Sequence, residues 1–115
     1  MDADRIRELE SRLRQMREMI VSLDAVRRES AAVVELEQTR TGRLSRMDAL
    51  QLQAMANAGR KRAAQELRRI DAALRRIEDG TYGACLACGG SIAGGRLEAR
   101  PAATLCLACA EERER

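Results

Sequence analysis

A chain of 115 residues with a formal charge of +3, no His, Phe or Trp, and Tyr82 as its single aromatic residue lacks the large side chains that usually supply much of the buried area of a globular core. Ala, Leu, Arg and Glu dominate, and the lone Pro101 falls late, a composition that predicts a mainly α, elongated protein built from long helices. The basic and acidic residues are interspersed, so the charge balance argues little for nucleic acid.

The start, Met1 to Ile6, is charged and has no apolar run, and no later stretch is apolar enough to span a bilayer, so a cytoplasmic protein without membrane association is expected. From Ile6, apolar residues recur at Leu9, Leu13, Met16, Ile20 and Leu23 in steps of three and four, the seam of a coiled coil. The stripe then continues one position early through Val26, Val33 and Leu36, as across a stammer. A first helix from about Asp4 to Gln38 or Thr39 follows, with Asp2 and Asp4 complementing its dipole. Thr39 to Arg43, containing Gly42, breaks the pattern. A second helix is expected from about Ser45 to Glu78, closed by Gly80, with apolar residues at Leu44, Met47 and Leu50 or Leu52, and again at Leu67, Ile70, Leu74 and Ile77.

If the turn centres near Gly42, antiparallel partners carry residue numbers summing to about 85. This sets Leu9 near Ile77, Ile20 near Ala64, Leu36 near Ala49, and Ala31 and Ala32 opposite Ala54. Each helix is then roughly 50 Å long at 1.5 Å per residue, and the methionines at 16, 19, 47 and 55 are expected to fill gaps along the seam. A dimeric coiled coil with one long helix per chain is the competing arrangement. Gly42 and the two independent seams favour the hairpin.

All four cysteines lie in two C-x-x-C pairs, Cys85/Cys88 and Cys106/Cys109, separated by seventeen residues, the spacing of a four-cysteine zinc site. Zn²⁺ accepts four thiolates in a tetrahedron, and with all four bound no position remains for a substrate, so the metal is expected to be structural, one per chain. Gly83 and Gly89-Gly90 flank the first pair and can supply positive-φ turns that direct amides at the sulfurs. The second pair leads into Ala110 to Arg113, a short closing helix. Paired disulfides or a thioredoxin-like redox site compete with zinc. The first needs an oxidising compartment and the second a βαβ setting that this chain does not suggest.

The join Ile77-Glu78-Asp79-Gly80-Thr81-Tyr82-Gly83-Ala84-Cys85-Leu86-Ala87-Cys88-Gly89, together with Arg96-Leu97-Glu98-Ala99-Arg100-Pro101-Ala102-Ala103-Thr104-Leu105-Cys106, resembles the DksA/TraR family of bacterial transcription regulators. The resemblance is specific over about Leu74 to Cys109; in the hairpin it rests on architecture and on Gly42 to Leu50. It implies an antiparallel two-helix coiled-coil hairpin (1–79, tip near 40–48) followed by a four-cysteine zinc-finger module (80–115) with a short C-terminal helix. It further implies binding to RNA polymerase rather than to specific DNA sequences, by insertion of the tip into the secondary channel, with ppGpp a further partner at that interface. The tip residues that would meet polymerase are Arg43, Ser45, Arg46, Asp48 and Ala49. The family's D-x-x-D-x-A motif is altered here: Asp48 matches the second acid, Ser45 stands at the first, and Leu50, or Ala49 in a shifted alignment, takes the alanine position. Asp48 could equally serve only the dipole of its helix, and Arg43 and Arg46 could simply be solvated.

Tyr82 and Leu97 are expected to pack the zinc module against the second helix, and Arg96 and Arg100 to offset the double negative charge of the zinc tetrathiolate or else to lie in solvent. A zinc-ribbon nucleic-acid binder on a coiled-coil spacer, or a coiled-coil adaptor, is the alternative function. The first would call for aromatics in the module for stacking bases, and none occurs after Gly83. An enzyme is not expected: there is no histidine, no open metal position and no nucleophile with its base. Transcript cleavage of the Gre type would need paired tip carboxylates for a second metal, and only Glu35, Glu37 and Asp48 are near.

Overall fold

The computed structural model describes residues 2–41 and 46–114, with side chains described over 2–29 and 46–114. The expected turn at Gly42, the tip residues Arg43 and Ser45, and the pairings of Ala31, Ala32 and Leu36 lie outside the described residues. Among the described residues there are four helices: α1 (Ala3–Thr41), α2 (Arg46–Asp79), α3 (Gly94–Ala99) and α4 (Leu107–Glu114). The two long helices begin and end within about two residues of the bounds expected from periodicity and caps. The short α3 carries no periodic signal of its own. The protein is an antiparallel helical hairpin followed by a four-cysteine module with a short C-terminal helix. Among the described residues no helix is long and apolar enough to cross a membrane.

Local chemistry accounts for the ends of the long helices. The Asp2 carboxylate accepts the Arg5 amide at 2.7 Å, capping the first turn of α1. At the other end of the hairpin sequence, Gly80 takes φ +77°, its amide donating to Ile77 O at 3.3 Å while the Thr81 amide donates to Arg76 O at 2.9 Å. That pair of bonds is a Schellman motif, which satisfies the last carbonyls of α2 and turns the chain into the zinc module.

Contacts divide the chain into two compact units, residues 1–17 with 67–115, and residues 18–66. In the first, Leu13, Ile70 and Ala73 are buried at helical spacing on α1 and α2. Arg17 on α1 meets Asp71 on α2 at 2.9 Å, and Arg12 lies near Tyr82, so partner numbers fall as α1 advances, the signature of antiparallel helices. Leu9 does something the periodicity did not foresee: it is buried in a cluster with Cys85, Ile92 and Leu97, against which Tyr82, Ala103 and Leu105 pack. The core of this unit is therefore shared by α1 and the zinc module, not made by the two long helices alone. An ion pair from Arg5 on α1 to Glu98 on α3 adds to the same contact.

In the second unit none of the described side chains is buried. Arg27 reaches over Gly59, where a Cβ would lie 3.8 Å from its Nη1, close to the antiparallel register expected. Arg28 pairs with Asp24 one turn back. The continuation of the seam through Leu23 and Val26 is not buried, and the methionines at 19, 47 and 55 do not fill it: they are 64%, 76% and 71% exposed. The reason is geometric. Two helices can hide only the narrow strip between them, and near Val26 and Arg27 α2 offers only Ala58 and Gly59, too small to cover a neighbour's flank.

Candidate metal centre

The first cysteine pair sits in a narrow loop held by its own backbone. An antiparallel bridge joins Ala84 to Ser91, the Cys85 amide donates to Gly90 O at 2.7 Å, and the Gly89 amide donates to Cys85 O at 2.9 Å. Gly83 and Gly89 take positive φ, as expected; Gly90 does not. Gly90 instead brings its amide 3.4 Å from Cys88 Sγ, the orientation in which a backbone dipole stabilises a thiolate. The second pair is differently made. Cys106 precedes α4, accepting the Ala110 amide at 2.9 Å, and Cys109 lies in the first turn of that helix. The two pairs are tied by backbone bonds: the Leu86 amide donates to Thr104 O at 2.9 Å, and the Cys106 amide is directed at the Cys85 sulfur.

The four Sγ atoms all lie within 4.8 Å of one another. Cys88 and Cys106, from opposite pairs, are 3.9 Å apart, against about 3.8 Å for the edge of a tetrahedron with Zn–S bonds of about 2.3 Å. A disulfide would need about 2.05 Å, and all four thiols are free. The sulfurs also differ in their electrostatic surroundings. Backbone amides of Cys106, Cys88 and Ala87 hold the Cys85 thiol down at about 6, whereas Cys109, hydrogen-bonded to the sulfurs of Cys106, Cys85 and Cys88, is pushed up to about 12. The donor set therefore suits a single Zn²⁺ bound by Cys85, Cys88, Cys106 and Cys109. With four protein ligands it is a structural metal, whose contribution is to link the two pairs.

The surrounding side chains tie this centre to the helices. Tyr82 packs against the shared cluster and donates its hydroxyl to Pro101 O at 2.7 Å; burial raises its pKa, with Arg76 and Arg12 pulling the other way. Burial likewise lowers the pKa of Arg76, whose Nη2 is enclosed without a hydrogen-bond partner. Leu97 is fully buried. Arg96 Nε donates to Leu105 O at 2.8 Å, while the Arg100 amide caps α3 by donating to Arg96 O. Of the tip residues, Arg46 and Asp48 are exposed in the first turn of α2, and Ala49 is half-buried. Sequence reasoning read Leu9 only as a seam position and missed Ile92, whose only signal was an apolar side chain in a run of Gly, Ser and Ala.

The fold and site together define a helical hairpin that carries a four-thiolate zinc finger. Residues 80–115 match the family described as the prokaryotic dksA/traR C4-type zinc finger. The chain is 48% identical over 56 residues to an RNA polymerase-binding transcription factor DksA of Caulobacter vibrioides, and 42% identical over 59 residues to that of Escherichia coli. Each match spans 49% of this chain and 39% of the relative. Along nearly the whole chain the fold is that of the transcription factor DksA2 from Pseudomonas aeruginosa, with TM-score 0.74, 26% identity, and coverage of 99% of this chain and 86% of that one. The Chlamydia trachomatis regulator Dks shares the fold at TM-score 0.61 and 23% identity. The zinc finger of this chain belongs to the DksA/TraR family.

Proposed function

We propose that this chain is a non-enzymatic transcription regulator that binds RNA polymerase and acts through the end of its hairpin near residues 40–48, inserted into the secondary channel. The observation that carries the reading is the joint one just described: a DksA/TraR zinc finger at residues 80–115 on a chain with the fold of DksA2 along 99% of its length. In this reading residues 1–79 are the probe and residues 80–115 the module that secures its base. Arg43, Ser45, Arg46, Asp48 and Ala49 are the proposed contacts. The exposure of Arg46 and Asp48 leaves both accessible to a partner. ppGpp is a candidate co-ligand of the complex, and the cytoplasm is its proposed site of action.

The test is a pull-down with purified RNA polymerase, paired with an assay of promoter-complex lifetime. The native chain is expected to bind at micromolar concentration and to change that lifetime. Asp48→Asn should fold and bind normally yet lose the effect. Absence of binding by the native chain would defeat the polymerase reading; full activity of Asp48→Asn would remove Asp48 from the tip's function.

A further inference from the structure

We infer that Arg96 is a positioning residue of the zinc site: by holding the carbonyl of Leu105 it sets where the second cysteine pair stands relative to the first. The inference rests on the zinc centre and is independent of the polymerase reading. The two pairs differ in how they are held. The first is a closed loop with bonds across its neck and within its turn. The second has no such loop. Three successive carbonyls leading into it are each committed to a different element: Thr104 O accepts the Leu86 amide, Leu105 O accepts Arg96 Nε, and Cys106 O accepts the Ala110 amide of α4. The first and third of these bonds belong to the knuckles themselves. The Arg96 bond alone brings in an outside element, α3.

That element is well anchored. Leu97 is fully buried beside Leu9, Cys85 and Ile92, and Glu98 is paired to Arg5 of α1. A directional Nε–H on so fixed a helix can locate a carbonyl one residue before a metal ligand, and partners that orient ligands are commonly worth 10-fold or more in metal affinity. The role differs from simple neutralisation of the tetrathiolate charge. A general electrostatic effect would be shared with Arg100, whose side chain is exposed and makes no hydrogen bond or ion pair among the described residues.

The experiment measures the rate of zinc release to a chromogenic chelator, and the d–d absorption of the Co²⁺-substituted protein, for the native chain and four variants. Arg96→Met should release zinc about 10- to 100-fold faster and shift the Co²⁺ bands. Arg96→Lys, which keeps the charge and the aliphatic stem but has no Nε–H, should also release faster, and it serves if Arg96→Met does not fold. Arg100→Met should stay within about 2-fold of the native rate, as expected for an exposed side chain without partners. Glu98→Gln, which loosens α3 from α1 without touching Leu105 O, should do the same. Native zinc release in both Arg96 variants would overturn the inference. Equal acceleration by Arg100→Met would return the effect to charge, and equal acceleration by Glu98→Gln would reduce it to general stability.

Discussion

Tyr82, the one aromatic side chain, combines two tasks: its ring packs on the cluster that contains Leu9 and Leu97, and its hydroxyl ties the start of the finger to Pro101. Because burial raises its pKa, the folded state favours the protonated phenol. The stability this contributes is complete below the ordinary tyrosine value of about 10 and is lost as pH rises above it. Tyr82→Phe should therefore cost about 1 kcal/mol at neutral pH for the lost hydrogen bond, and it should remove this alkaline component from a plot of Tm against pH. At Leu9, burial against the cysteine cluster makes truncation costly. Leu9→Ala should destabilise by about 2–5 kcal/mol in denaturant titrations, although the residue belongs to a helix far from the finger in sequence.

At the level of elements, two glycines of α2 and its end make opposite predictions. Gly80 holds the left-handed conformation that closes the helix, so Gly80→Ala should destabilise by about 1–2 kcal/mol even though a Cβ there would meet nothing within 4 Å. Gly59 lies inside the helix without positive φ. An added Cβ would touch only the ends of the Arg27 and Arg62 side chains, at 3.8 and 4.0 Å, which can move aside. Gly59→Ala should raise stability by about 0.5–1 kcal/mol. Thermal melts of the two variants, compared with the native chain, check both signs. A glycine's contribution thus depends on whether its backbone angle or merely its small size is being used.

For the molecule as a whole, the placement of Leu9, Arg5 and α3 against the cysteine cluster couples metal binding to the helices. Removing zinc with a chelator leaves four crowded thiols and releases the link between the two pairs, so the unit formed by residues 1–17 and 67–115 should lose cooperative folding rather than the finger alone. The expected result is a fall in helical circular dichroism and new proteolytic cleavage within residues 1–17. Retention of full helicity without metal, or with all four cysteines changed to serine, would separate the finger from the helices energetically.

The sequence by itself determined the elements whose causes are local. Periodicity and caps located α1 and α2, Gly80 marked the end of α2, and the spacing of Cys85, Cys88, Cys106 and Cys109 identified the metal site, because each signal lies within a few residues of its effect. The tertiary structure alone decided what covers those elements. An apolar residue declares that it favours burial but not what buries it, so Leu9 read as one more seam position although it completes the core of a finger more than seventy residues away. Likewise Met19, Met47 and Met55 read as seam fillers although all three are largely exposed. Arg96 illustrates the same limit for polar groups: its composition suggested charge, and only the fold placed its Nε on the Leu105 carbonyl. Contacts between residues distant in the chain leave no periodic trace, because they are selected by the packing of elements already formed.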